Sequence, residues 1–126
     1  MHPSELLYTQ DHVWVKKEPD GNVRMGMTYH YQQMLKKIVY VDLPAAGSAI
    51  KAGQPIASFE SSKTAADLSS PLSGTILEVN AGLSDKPGLV NTDPYGAGWM
   101  ALVKPSDPTR MKGLLTAAQY IDSILR

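Results

Sequence analysis

Glu60-Ser61-Ser62-Lys63-Thr64-Ala65-Ala66-Asp67 separates two short apolar runs, residues 56–59 and 65–68, each of strand length. The small residues around Lys63 predict a tight hairpin with the lysine projecting from its tip. Ser61, Ser62, Thr64, Ala65 and Ala66 leave the amine sterically clear, so a modifying enzyme can reach it. Glu60 lies three residues before the lysine and Asp67 four after it, a near-symmetric pair of acids across the turn. Acids beside an amine favour its protonated form, which suits a recognition mark better than a Schiff-base lysine.

Outward from this hairpin the chain reads as an antiparallel β region of short strands. Towards the N-terminus, Val13-Trp14-Val15 and residues 23–27 flank the turn Glu18-Pro19-Asp20-Gly21-Asn22, a hairpin signal. Thr28 is placed to cap a short helix whose apolar stripe runs through Tyr31, Leu35 and Ile38. Ile38-Val39-Tyr40-Val41-Asp42-Leu43 is rich in β-branched and aromatic residues and stops at Pro44 and Gly47. Beyond the hairpin come strands at residues 71–74 and 75–79, a short helix at 80–86 stopped by Pro87-Gly88, and a last strand at Trp99-Met100-Ala101-Leu102-Val103. Residues 106–115 read as partly helical. Thr116 with Gln119 forms a capping-box pattern for a final helix with Ala117, Tyr120, Ile121, Ile124 and Leu125 on its apolar face. A shift of 29 residues sets Ile50-Lys51-Ala52-Gly53 on Val79-Asn80-Ala81-Gly82 and Leu43 on Leu72, an echo of two halves with Lys63 at their connection.

Composition narrows the function classes. The 126 residues include 43% hydrophobic ones, which fits one domain over 1–126. Twelve basic and twelve acidic residues cancel, leaving no field to steer the chain towards nucleic acid or an anionic membrane. There is no cysteine, so disulfides, thiolate metal sites and thiol catalysis are excluded and redox chemistry needs a borrowed group. No run of about 18 apolar residues occurs. The opening Met1-His2-Pro3-Ser4-Glu5 lacks a basic segment followed by an apolar one, which predicts a soluble, cytoplasmic protein; a monomer is expected. His2, His12 and His30 are too dispersed for a local metal motif, and no glycine-rich phosphate loop or nucleophile elbow appears.

In order and spacing, several blocks together resemble the glycine cleavage H-protein family. They are Tyr8-Thr9-Gln10-Asp11-His12-Val13-Trp14-Val15, Gly26-Met27-Thr28, residues 38–44, Glu60-Ser61-Ser62-Lys63, Ser70-Pro71-Leu72-Ser73-Gly74, residues 80–91 and Asp93-Pro94-Tyr95-Gly96-Ala97-Gly98-Trp99. The resemblance implies a mainly β (α+β) fold, a barrel-sandwich hybrid of two antiparallel sheets with short flanking helices and a C-terminal helix. It implies a non-catalytic carrier with lipoate in amide linkage on Lys63. Biotin is disfavoured because biotinylated lysines of that superfamily are flanked by methionines. By the same resemblance Glu60 and Asp67 become acids for recognition by a lipoate ligase or transferase, and His30 a contact for the parked arm.

Departures from the family pattern bear on the cargo. Val13 stands where the family usually has Glu, Tyr29 where an acid usually follows the Gly-Ile-Thr block, and Lys36-Lys37 where Gly-Asp or Gly-Glu is usual. Fewer acids beside the arm suit a sulfur-bound or anionic cargo better than a cationic aminomethyl group. That pattern resembles the lipoate-binding H-protein-like carriers of heterodisulfide-reductase-like sulfur oxidation, and the resemblance implies that complex and dihydrolipoamide dehydrogenase as partners. The alternative is glycine cleavage with its P, T and L proteins.

Overall fold

The computed structural model describes residues 2–107 and 114–124. Among the described residues nine strands form two antiparallel sheets. The larger runs β1-β2-β3-β9-β8-β5, from β1 (Leu7–Tyr8), β2 (Val13–Lys17), β3 (Val23–Met27), β5 (Ala49–Ile50), β8 (Gly74–Val79) and β9 (Ala101–Pro105). The smaller is β4 (Ile38–Asp42), β6 (Pro55–Ser61) and β7 (Ala65–Ser69), with β6 central. Short helices flank them: α1 (Tyr29–Leu35), α2 (Gly82–Asp85), α3 (Leu89–Thr92) and the C-terminal α4 (Ala117–Ile124).

Both local caps read from sequence are present. Thr28 Oγ1 accepts from the Tyr31 amide to start α1. Before α4, the Thr116 amide donates to Gln119 Oε1 while the Gln119 amide donates to Thr116 Oγ1, the reciprocal pattern of a capping box. Other boundaries moved. Ile38 belongs to β4 rather than to the helical stripe, because α1 ends at Leu35. The helix expected over 80–86 shortens to α2, and α3 follows it beyond Gly88. β9 begins two residues later than expected and has Pro105 as its last residue, opposite Gly74. The partly helical reading of residues 106–115 falls largely outside the described residues, as does Leu125. The 29-residue echo diverges locally, since Gly53 turns at φ 90 whereas Gly82 opens α2.

The main core lies between the sheets and includes Val13, Val15, Met25, Met27, Phe59, Leu68, Ile76 and Val103. Burying a side chain of the size of Phe59 contributes about 1.5–3 kcal/mol. A second cluster of Leu6, Tyr8, Trp14, Ala117 and Tyr120 holds α4 against the other face of the large sheet. Tyr8 and Tyr120 stack there, ring centroids 4.9 Å apart at 9°. In β2 three consecutive residues are therefore buried: Val13 and Val15 face one cluster, Trp14 the other.

Candidate functional site: the β6–β7 hairpin and the surface beside it

Lys63 sits in the turn joining β6 to β7, exposed together with Ser62, Thr64 and Ala65. Ser61 builds that turn. Its amide donates to the Thr64 carbonyl at 2.8 Å, and its Oγ accepts from the amides of Lys63 (3.1 Å) and Thr64 (2.9 Å). The amide of Ser62 donates to the Lys37 carbonyl at 2.8 Å, which braces the tip against the start of β4. The backbone of Lys63 is thus held while its side chain is free. Among the described residues no ion pair ties down its amine.

The two flanking acids are not the symmetric pair expected from counting. Glu60 lies opposite Ala65, whereas Asp67 lies opposite Ser58, two pairs further from the tip. The turn consumes unequal numbers of residues on its two sides, so the acids become diagonal neighbours on the sheet's exposed face. Among the described residues neither forms an ion pair.

Asp67 leads to the remaining predicted site residue. Tyr31 Oη donates to the Asp67 carbonyl at 3.3 Å, joining α1 to β7. Burial pushes the Tyr31 phenol up, with the Asp67 and Asp11 carboxylates adding to the effect. His30 precedes Tyr31 on α1, and the His12 ring lies between them, 5.2 Å from His30 and 5.1 Å from Tyr31. The histidines that looked dispersed converge in the fold. Among the described residues they form no metal-binding group. Sequence reasoning missed this cluster because it is closed by Tyr120, whose Oη lies 2.7 Å from His12 Nδ1 and 2.8 Å from Thr28 Oγ1.

Burial first and His30 second push the His12 imidazole below its ordinary range, with Asp11 opposing. His2, packed 5.3 Å from Tyr120, is lowered by burial, the N-terminal amine and His30. The unfolded chain therefore binds more protons than the native one as pH falls below about 6.5. The stability these neutral imidazoles contribute is complete above that value and is lost as pH falls through the depressed native values. Melting from about pH 7.5 to about pH 5 will show a falling midpoint. His12→Asn, which keeps an acceptor and tolerates the positive φ of 71 at this position, will flatten the slope.

At the other side of the tip, Asn91 pins the corner between α1 and β4. Its Nδ2 donates to Gln32 Oε1 and the Lys36 carbonyl, and its Oδ1 accepts from the Ile38 amide. Lys36 in that corner has φ 68 and ψ −151, a combination that glycine adopts readily and other residues at a cost of about 1–3 kcal/mol. This is a backbone reason for the glycine usual at this position. Lys36→Gly is expected to stabilise the protein by about 1 kcal/mol, the strain relieved less the added chain entropy of glycine, as read from denaturant unfolding.

Val13 corrects the cargo argument. Its side chain is 0% exposed in the core, opposite Met27, so it is not a bare patch beside a docked arm. Tyr29, half-buried, accepts from Gln33 Nε2 and packs against His2, which gives it a structural role of its own.

The comparisons with known proteins extend over nearly the whole chain. The family model described as glycine cleavage H-protein matches residues 6–125. The chain belongs to the glycine cleavage H-protein family. It is 46% identical over 118 residues to the glycine cleavage system H protein of Escherichia coli O7:K1, covering 94% of this chain and 92% of that one. Identity to the H protein of Myxococcus xanthus is also 46%, covering 94% and 91%. The crystal structure of a glycine cleavage system H protein from Mycobacterium marinum superposes with a TM-score of 0.89 at 40% identity, covering 98% of this chain and 99% of that one. Members of this H-protein family are non-catalytic and carry lipoate covalently on a lysine. These relatives lend no support to the heterodisulfide-reductase-like sulfur oxidation expected from Val13, Tyr29 and Lys36-Lys37, and they fit the glycine cleavage alternative. Among the described residues no helix is long and apolar enough to cross a membrane.

Proposed function

We propose that the 126 residues form one lipoyl-carrier domain serving glycine cleavage, with lipoate in amide linkage on Lys63 Nζ. The observation that carries this reading is the exposed lysine held by Ser61 at the tip of a braced hairpin, in a chain 46% identical to glycine cleavage H proteins. The group fits the site: the amine is free of ion pairs among the described residues, and its neighbours are small. When attached, lipoate supplies the sulfur that holds the aminomethyl group and the disulfide that accepts electrons. Lys63 contributes the tether: its ammonium gives up one proton, the free amine attacks an activated lipoyl carbonyl, and the activating group leaves as the nitrogen loses a second proton, which takes the formal balance from zero to minus one. One tethered group then visits several partners at raised effective concentration.

The remaining roles follow from the surface. Glu60 and Asp67 face the enzyme that loads Lys63, a lipoate ligase or transferase. His30 offers its ring to the returned arm on the surface that Tyr31 joins to β7. The partners in turnover are the P, T and L proteins of glycine cleavage. Supplying lipoylated protein to these three is expected to sustain glycine-dependent NADH formation; a loaded carrier that supports none would refute the pathway.

A further inference from the structure

The outer face of the small sheet continues away from Lys63 and ends in a groove. Tyr40, Glu60 and Ala65 lie in one row across β4, β6 and β7, and Asp42, Ser58 and Asp67 in the next. Tyr40 is 53% exposed although it is aromatic. None of the three strands carries a lysine or arginine, although the chain as a whole is neutral. The cations nearby, Lys36, Lys37 and Lys63, belong to the tip, so charge is segregated along the face. At its far end a cavity of about 160 Å³ is lined by Leu43, Pro44, Pro55, Ile56 and Ala57 together with Asp42 and Ser58. Among the described residues Asp42 has no ion pair.

Apolar walls beside one unpaired carboxylate match a long cationic side chain, whose stem packs on the prolines while its head meets the acid. Arginine suits this better than lysine because its planar head binds a carboxylate through two parallel hydrogen bonds. The groove is also within reach of whatever binds the tip. Ser58 is three residues before Ser61, about 10 Å along the strand. A standard interface of about 800 Å² per partner, centred on the hairpin tip, extends about 16 Å in radius and so reaches the groove's near rim at Ser58.

We propose that this face is the docking surface for the enzyme that acylates Lys63, and that an arginine of that enzyme occupies the Asp42 groove. The proposal rests on Lys63 being the acylated residue, and it extends recognition from the hairpin acids to Tyr40 and Asp42 on β4. The docked arginine adds to the affinity with which the enzyme lies along β6. Rim charges of this kind act on encounter more than on the chemical step.

The test is steady-state lipoylation of the full chain by a lipoate ligase, with Asp42→Asn, Asp42→Arg and Tyr40→Ser, and with Glu78→Arg on β8 as a charge control away from this face. Thermal melts establish that each variant is folded. The proposal requires KM for the carrier to rise about threefold in Asp42→Asn and about tenfold or more in Asp42→Arg, with kcat little changed and Glu78→Arg within about twofold of wild type. Asp42→Arg within about twofold of wild type overturns the groove. An equal defect in Glu78→Arg also overturns it, by reducing the effect to net charge. A defect confined to later aminomethyl transfer places a different enzyme in the groove and overturns the assignment. Failure of wild-type protein to be acylated at Lys63 refutes the carrier reading itself, a distinct result.

Discussion

Lys63→Arg will fold as the wild type does and will be dead as a carrier. Both side chains project from the same braced turn, and the contacts that make that turn come from Ser61, Thr64 and Lys37 rather than from the amine. The melting midpoint is expected to move by less than about 0.5 kcal/mol in stability, the usual range for an exposed substitution. Arginine keeps the charge but has no nucleophilic amine at working pH. Lipoyl incorporation and glycine turnover should therefore fall to background together, a loss limited only by assay sensitivity. Retention of turnover by Lys63→Arg would mean that another residue bears the arm.

Gly26→Ala will have the opposite signature, a large loss of stability with the modification chemistry intact in whatever protein stays folded. Gly26 faces Trp14 across the β2–β3 pair, and a Cβ there would lie 2.7 Å from the indole Nε1 and 2.8 Å from two ring carbons. Trp14 cannot retreat freely, because its Nε1 donates to the Pro94 carbonyl at 2.9 Å and its ring is buried beneath α4. Overpacking costs about 1–3 kcal/mol, and losing a buried hydrogen bond costs a similar amount. A loss of about 3 kcal/mol, roughly 10 °C in melting midpoint, is expected from calorimetry. A change below about 1 kcal/mol would show that the β2–β3 pair and the Pro94 loop yield more readily than their contacts suggest.

The parts of the fold legible in the sequence are those encoded by residues close together along it. The Thr28 cap and the Thr116–Gln119 box each act over three residues, and both appear as read. The hairpin around Lys63 was legible from its small residues and flanking strand pattern, although the particular work of Ser61 was not. Contacts made by distant segments stayed hidden. His12 meets Tyr120 across 108 positions, and Asn91 secures a corner 55 residues before it. Val13 was misread for a related reason. The family pattern set it among the positions beside the arm, but β2 has the main core on one side and the α4 cluster on the other, so adjacent residues are both buried.

That double burial removed a main support for a change of cargo. Lys36 behaves similarly: its departure from glycine has a conformational cost at the end of α1, separate from any effect of its charge. Substitutions near a functional arm carry information about cargo only when their side chains reach the surface where the arm lies.

The central claim is that Lys63 bears the lipoyl arm. Peptide-resolved mass spectrometry of the protein from cells engaged in glycine breakdown tests it most directly. One lipoyl group on the peptide containing Lys63, with every other lysine unmodified, is the predicted result. An unmodified Lys63 peptide, or lipoate on any other lysine, would contradict it.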